Sequence, residues 1–558
     1  MTGEAQTSMD AIDLECCPLP EQLRRCARTW PRRIAVDFLG RRTRYGALDA
    51  LVDRAAAGLQ RLGLAPGERV GLCLPNTPYF VIFYFAIMRA GGIVVNYNPL
   101  YSERELRTQI VDSGTTIMIV PDLHAIHAKV AAIAEAVGLR HIVLCGMAAA
   151  MPAIKGALFS VARRRDIVRR VRDPRHVSYR SLMAGRAVLR EAAIDPERDL
   201  ALLQYTGGTT GTPKGAALTH ANLTANSAQI NHAMGGGLTE PERILGVLPL
   251  FHVFALTTVL NLAVAIGAEM VLLPRFSVAD TLKTIARRRP TLLPAVPTIY
   301  NAISNAAVGA PRPVRDGLRA IRICISGGAP LPAEVQTRFE ALTGCRLAEG
   351  YGLSETSPVV CCNRLDGASR AGSVGQAMPE TVVEIRDLAD PSVILGPRVR
   401  GEVCVRGPQV MQGYWNLPAE TASAMIDGAF RTGDVGYLDE DGFLFLVDRI
   451  KDVILCSGYN VYPRMIEEAL YRHPDVLEAT VIGVPDSYRG ESPKAFVVLR
   501  DSAAADVPAL RRFLEGELSR IELPGEIELR TTLPHTAVGK LSKKELVAEE
   551  AARRQHAA

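Results

Sequence analysis

The sequence predicts an α/β protein: a large N-terminal α/β domain with parallel sheets plus a β subdomain, then a small C-terminal α+β domain. Three changes of texture along the 558 residues predict it. From Arg69, short β-branched runs alternate with helix-length stretches, the pattern of parallel strands covered by helices. From about Gly372, short alternating strands with Gly/Asp turns take over, Asp441-Gly442 among them. Past Asp448 the chain becomes a compact mixture of both types. The natural cut is Asp448-Arg449-Ile450-Lys451, giving domains 1–448 and 449–558.

In order, Val70–Leu74 reads as a strand closed by Pro75-Asn76-Thr77-Pro78, and Tyr79–Arg89 as an apolar helix broken by Gly91-Gly92. Ile93–Asn96 is the next strand, and Ser102-Glu103-Arg104-Glu105 has the spacing of a capping box. Thr115–Val120 and His141–Cys145 are strands separated by an alanine-rich helix. Gly156–Arg175 reads as one basic amphipathic helix. Leu158, Val161, Ile167, Val168 and Val171 share a face, and Arg163, Arg164, Arg165, Arg169, Arg170 and Arg172 crowd the rest. Such a helix suits either an anionic lipid surface or a solvated, arginine-rich position on the body, and both readings stay open. Helices follow at His220–Met234, Ser277–Arg288, Pro297–Ala307 and Ala333–Leu342, with strands at Arg243–Pro249, Met270–Leu273, Leu292–Val296 and Ile321–Ile325. The β subdomain contains Val382–Arg386, Glu402–Arg406, Val435–Leu438 and Phe443–Val447. The last domain has helices Arg464–His473 and Val507–Leu518 and strands Ala479–Val484 and Ala495–Leu499.

Composition narrows the function. A net charge of +5 is small for this length and gives no argument for nucleic acid. The eleven cysteines are scattered without a C-x-x-C pattern, which suits reduced thiols in the cytoplasm. The N-terminal stretch is polar and acidic, unlike a signal peptide. The apolar run Tyr79–Met88 stops at Arg89, well short of the ~20 residues of a membrane span. The expectation is a cytoplasmic protein, with peripheral contact to the inner membrane face left open.

The chemistry centres on Leu202–Gly215, LLQYTGGTTGTPKG. An apolar strand pattern runs into a loop with four glycines, four threonines and one lysine. Backbone N–H groups, threonine hydroxyls and Lys214 make an anion cradle suited to phosphates. It is not a Walker A loop, because Gly211 and Lys214 are separated by Thr212-Pro213 and Gly215 follows the lysine.

This loop resembles the phosphate-binding signature of the adenylate-forming enzymes, the superfamily of acyl-CoA synthetases, luciferases and peptide-synthetase adenylation domains. Further segments resemble it in the same order: Pro249–Phe254, Ser326–Pro330, Gly350–Thr356, Arg431–Asp434 with Asp448–Asp452, Ser457–Pro463 and Pro534–Leu541. Each is weak alone; the ordered set covers roughly Leu19 to Leu546. The resemblance implies activation of a carboxylate by ATP, then transfer of the acyl group to a thiol.

It also implies roles. Thr206, Gly207, Gly208, Thr209, Thr210, Gly211, Thr212 and Lys214 would hold phosphates, and Glu355 with Thr206 would hold Mg²⁺. Tyr351 would stack on adenine, with Gly327, Gly328, Ala329, Gly350, Gly352 and Thr356 around the nucleotide. Asp434 would accept the ribose hydroxyls, and Arg449 would contact ribose or phosphate. On composition Lys540 is an exposed loop lysine; the resemblance makes it the group that bridges α-phosphate and carboxylate in the first step. A catalytic lysine so far along the chain implies a mobile C-terminal domain, with Lys451 at its hinge and Gly458 lining the thiol tunnel.

Phe251–Leu262 (FHVFALTTVLNL) contains no carboxylate, and His252 stands where amino-acid-activating relatives place an aspartate. An uncharged tail is therefore expected. With Pro297–Asn301, this segment resembles the bacterial long-chain fatty acyl-CoA synthetases. Phe254, Leu256, Val259 and Leu260 are then expected to line a hydrocarbon tunnel, with His252 as a catalytic gate near the carboxylate. The expected partners are a medium- or long-chain fatty acid and coenzyme A, since no carrier domain follows Lys540 in this sequence; a homodimer is also carried as an expectation. The alternatives are a ligase for dicarboxylic or aromatic acids, loading of a carrier protein, or a non-catalytic nucleotide-binding membrane adaptor.

Overall fold

A computed structural model describes residue 14 and residues 16–168, 171–185, 188–206, 213–235, 241–364, 369–457, 459–486, 488–500, 503–536 and 541–557. Among these, the strands form four sheets. The first runs Gly413–Tyr414, Lys214–Thr219, Leu200–Thr206, Ile93–Asn96, Arg69–Leu72, Thr115–Pro121, His141–Cys145 and His176–Ser178. From Leu200–Thr206 to His176–Ser178 all its neighbours are parallel. The second sheet has nine strands with a parallel centre: Ile34–Phe38, Glu269–Leu272, Arg243–Gly246, Leu292–Ala295, Ile323–Ser326 and Arg346–Gly352. Its N-terminal hairpin, Ile34–Phe38 with Arg41–Arg44, lies before the alternation visible in the sequence.

Local chemistry explains the elements. Helix Pro78–Arg89 starts where Thr77 accepts from the Phe80 N–H and Pro78 presets the first turn. Every residue from Tyr79 to Arg89 is buried, and up to Met88 the helix carries no charge on any face because it lies in the core. Its terminal Arg89 is sealed by Asp49 at 2.6 Å and Asp53 at 2.7 Å. The capping box at Ser102 forms in both directions with Glu105.

Helix His220–Ala233, just after the threonine-glycine loop, is tied to the second sheet and the β subdomain. Asn226 donates to the Val359 carbonyl at 2.8 Å, and Asn222 to the Pro408 carbonyl at 2.7 Å. Buried amides with such partners fix the loop's exit.

The β subdomain sheet runs Val382–Arg386, Gly401–Arg406, Ala429–Leu438 and Met425–Ile426, with Leu444–Arg449 also on Ala429–Leu438. The last sheet is built from Tyr459–Val461, Ile454–Cys456, Gly490–Leu499, Val476–Asp486 and Glu526–Arg530. Helices Pro463–Tyr471 and Val507–Glu517 cover it over Ile466, Val481, Val497 and Leu510. Leu546 of helix Lys543–Ala557 joins Phe496 in a separate cluster. Among the described residues, no helix is long and apolar enough to cross a membrane.

One expected element is corrected. Residues 156–175 do not form one helix: the helix spans Ala153–Ala162 and stops at Arg163. Beyond it, Val168 N–H donates to the Asp122 carbonyl, Asp166 accepts from His124 N–H, and Ile167 bridges Leu123. Those backbone bonds replace another helical turn, so the aliphatics and arginines do not share one helical surface. Arg169 and Arg170 lie outside the described residues.

Candidate active site

The two large sheets, the β subdomain and the C-terminal domain enclose a cleft of about 2970 Å³. Single-ligand pockets are usually ~300–1,000 Å³, so this one has room for more than one substrate. Thr206, Lys214, His252, Gly327, Gly328, Ala329, Gly350, Tyr351, Gly352, Glu355, Asp434, Arg449 and Lys451 all line it. Gly207, Gly208, Thr209, Thr210, Gly211, Thr212, Gly458 and Lys540 lie outside the described residues. The residues on either side of segment 537–540, Thr536 and Leu541, line the cleft, and His535 bridges Leu541.

The loop's ends are held in register. Leu200–Thr206 and Lys214–Thr219 are antiparallel, with Thr206 opposite Lys214. The Lys214 ammonium lies 5.1 Å from the centre of the Tyr414 ring. Tyr414 donates its hydroxyl to Glu355 Oε1 at 2.9 Å. Burial raises the Glu355 carboxyl above the ordinary glutamate value, opposed by the Tyr414 hydrogen bond and the nearby Arg449 charge. Tyr414 itself sits on the short strand Gly413–Tyr414, paired with Ala216.

A second polar chain crosses the floor. Tyr351 donates to Asp434 Oδ2 at 2.6 Å, and Arg449 Nε lies 3.1 Å from Asp434 Oδ1. The last pair follows from strand register, Asp434 standing opposite Arg449. Gly433 has φ 72°, a turn conformation that favours glycine, and the Asp434 N–H then donates to Thr432 Oγ1. The Asp434 charge holds the Arg449 guanidinium above its ordinary value, while burial lowers the Lys451 ammonium. Glu349, beside Gly350, is pushed up to about 7 by desolvation and accepts from the Leu331 N–H at 3.1 Å.

The wall around His252 is less polar. His252 Nδ1 accepts from the Phe254 N–H at 3.3 Å and caps the short helix Val253–Ala255, which continues as a π-helical turn over Leu256–Asn261. A Cβ at Gly327 would come 3.1 Å from Phe254 Cζ, so glycine permits that ring to lie against the strand end. Of the four residues expected to line a tunnel, Phe254 lines the cleft, while Leu256, Val259 and Leu260 are fully buried behind it. A narrow apolar slit of about 10 Å³ instead abuts the cleft. Ile325, Val359 and Asn363 belong to both, and Ile230, Ala233, Met234 and Met378 close its far side.

Thr356, expected around the nucleotide, does not line the cleft. It is fully buried, and its hydroxyl donates to the Pro358 carbonyl at 2.6 Å and accepts from the Leu353 N–H at 3.0 Å. Ser354, which no local pattern distinguishes from Thr356, lines the cleft beside Glu355. Tyr414 is likewise silent in the sequence, since its spacing gives no sign that it faces a carboxylate coded 59 residues earlier.

Comparison with known proteins identifies the family. Residues 23–415 match the family model described as AMP-binding enzyme, and residues 465–540 match the AMP-binding enzyme C-terminal domain. The chain is 42% identical over 546 residues to a long-chain-fatty-acid–CoA ligase of Bacillus subtilis, covering 96% of this chain and 95% of that protein. It is 41% identical to a ligase of the same name from Yersinia pestis, covering 89% and 88% of the two chains. ATP-bound MatB from Rhodopseudomonas palustris superposes with a TM-score of 0.82 at 29% identity, covering 96% of this chain and 100% of that one.

Proposed function

This chain belongs to the AMP-binding enzyme family, and we propose that it is an AMP-forming fatty acid:coenzyme A ligase. In the first step the acid's carboxylate oxygen attacks the α-phosphorus of ATP, giving acyl-adenylate and releasing pyrophosphate. In the second, the coenzyme A thiol attacks the acyl carbon and AMP leaves. The observation that carries this reading is the convergence, in one cleft, of Lys214–Tyr414–Glu355 and Tyr351–Asp434–Arg449, with an apolar slit at the same wall.

Each residue has a task in this reading. Thr206 and Lys214 flank the phosphates, and Asp434, steadied by Arg449, takes the ribose. Tyr351, held through its hydroxyl, offers its ring to adenine. Lys540 meets the forming bond between carboxylate and α-phosphate, where its charge is worth most. His252, whose Nδ1 accepts from the Phe254 N–H, stands at the acid entrance. The domain division at 448/449 is part of the same proposal: Lys451 serves as the hinge and Gly458 faces the thiol after rotation.

The residues present also fit Mg²⁺. Among the described residues no cluster of three or more His, Cys, Asp or Glu could hold a metal. Mg²⁺ commonly takes only one or two carboxylates beside phosphate oxygens and water. Glu355 with Thr206 is such a partial set, and the buried Glu355 carboxyl gains from a neighbouring cation. Bound there, Mg²⁺ neutralises phosphate charge.

For the acid, the slit's own volume holds no acyl chain, so a tail entering past Ile325 and Val359 must displace Met234 and Met378. Methionine side chains are flexible enough to yield. Coenzyme-A-dependent AMP release across a panel of acids tests the reading. Straight-chain acids of medium and long length should lead; adipate- or benzoate-like acids outpacing them would overturn the substrate class. No AMP with any acid would favour a non-catalytic nucleotide-binding adaptor. Contact with a membrane concerns a different face of the molecule.

A further inference from the structure

Helix Ala153–Ala162 carries its apolar face outward. It meets the body through buried Gly156 and half-buried Phe159 and Ser160. A Cβ at Gly156 would stand 2.3 Å from the Ala148 carbonyl oxygen, so the glycine allows the helix to lie this close. On the opposite side Ile154 is 79% exposed, Leu158 65% and Val161 73%. These positions are i, i+4 and i+7, one stripe along the helix. Ala153, Ala157 and Ala162 are exposed around them. An ordinary surface helix puts charge on this side.

The charge lies at the margin instead. Exposed Arg163, Arg164 and Arg165 follow directly on the helix end. Lys155 anchors to the Leu39 carbonyl at 2.7 Å, and the Arg287 guanidinium lies near Gly40 together with Pro152. Between Met147 and Arg172 the sequence holds one acid, Asp166, against seven basic residues. That acid is paired with Arg163 at 3.1 Å.

We propose that this face docks on an anionic lipid bilayer, with Ile154, Leu158 and Val161 in the headgroup–acyl boundary and the arginines at the lipid phosphates. Charge decides between a bilayer and a second copy of the chain. A two-fold contact would press this stripe on its own image and bring two arginine clusters together. Three aliphatics also fall well short of the roughly 800 Å² per partner that stable dimers bury. A phosphatidylglycerol surface complements both the apolar stripe and the positive margin. The inference does not depend on which acid the cleft takes, because it concerns a face outside the cleft.

The test is sedimentation of the full chain with phosphatidylglycerol-rich vesicles and with pure phosphatidylcholine vesicles, without ATP or acid. Binding should be confined to the anionic vesicles and fall with added salt. The variant Ile154→Ser/Leu158→Ser/Val161→Ser should bind about tenfold more weakly. Arg164→Gln/Arg165→Gln should bind about 30-fold more weakly. Both should keep the wild-type rate of AMP release from a short soluble acid, which shows that they fold. Absence of wild-type binding, or equal binding by both variants, overturns the proposal. So does a wild-type dimer that the serine variant converts to monomer while vesicle binding stays absent, since a second copy then covers the stripe.

Discussion

On the side of the cleft that we assign to the nucleotide, side chains with charge or hydroxyls hold one another. Lys214 faces Tyr414, Tyr414 holds Glu355, Tyr351 holds Asp434, and Asp434 holds Arg449. On the side that we assign to the acid, from His252 round to the slit, the wall is mostly apolar, and its adjustable parts are the two methionines. The first wall is prepared before substrate arrives, and partly buried charge is its cost, as the raised Glu355 and Glu349 carboxyls record. The second, in the proposed reading, must rearrange to admit a tail. A change on the polar wall should therefore slow every acid alike, whereas a change on the apolar wall should re-rank the acids.

The largest test of that contrast is Lys540→Ala. Adenylation should fall by about 10²–10³-fold, as with loss of one transition-state charge partner, for every acid tested. Thiolysis of preformed acyl-adenylate should survive. Equal loss in both half-reactions, measured by pyrophosphate release and by consumption of the adenylate, would contradict a lysine used in one step only. Next comes Glu355→Gln. Pyrophosphate release should drop about 10²-fold at saturating acid, with the ranking of acids unchanged. If the ranking shifts instead, the separation of the two walls is broken.

The two walls also differ in how legible they were. Phosphate, ribose and carboxylate chemistry each demand particular residue types, so Lys214, Glu355, Asp434 and Arg449 stand out in the sequence, and all line the cleft. Most strands and helices from Arg69 onward were legible because burial imposes a period of two or of 3.6. Partners across the fold were not. Tyr414 reaches Glu355 through pairing of Gly413–Tyr414 with Ala216 and Ala217, and no local pattern encodes that register. Thr356 and Ser354 are two hydroxyls flanking one glutamate, and only the backbone path decides which faces the cleft. The apolar wall was least legible, since core leucines and tunnel leucines obey the same pattern. Leu256, Val259 and Leu260 belong to the core, while Ala233 and Met378 reach the slit. The long basic helix failed for a related reason: its second half finds backbone partners at Asp122 and His124, which helical periodicity cannot register.

On the apolar wall, Ala233→Phe should fill the slit. The ratio of kcat/KM for long over short straight-chain acids should fall about tenfold, while activity on the shortest acid stays near wild type. Overpacking carries its own cost of about 1–3 kcal/mol, so thermal melting accompanies the assay. Uniform loss across chain lengths at unchanged melting temperature would show that the tail runs elsewhere.

The smallest effect concerns the cost borne by the polar wall. Glu349 is raised from the ordinary glutamate value of 4.5 to about 7 by desolvation. The folded chain therefore holds this proton more tightly than the unfolded chain does. Its contribution to stability is fully present below about pH 4.5 and is lost as pH rises through about 7. Glu349→Gln removes the buried charge and keeps an oxygen to accept from the Leu331 N–H. Without substrates, the variant should melt roughly 1–3 °C higher than wild type at pH 8. The gap should shrink through pH 7 and close toward pH 5. A constant gap across that range would mean that the effect comes from packing, with the carboxyl of Glu349 already at an ordinary pKa.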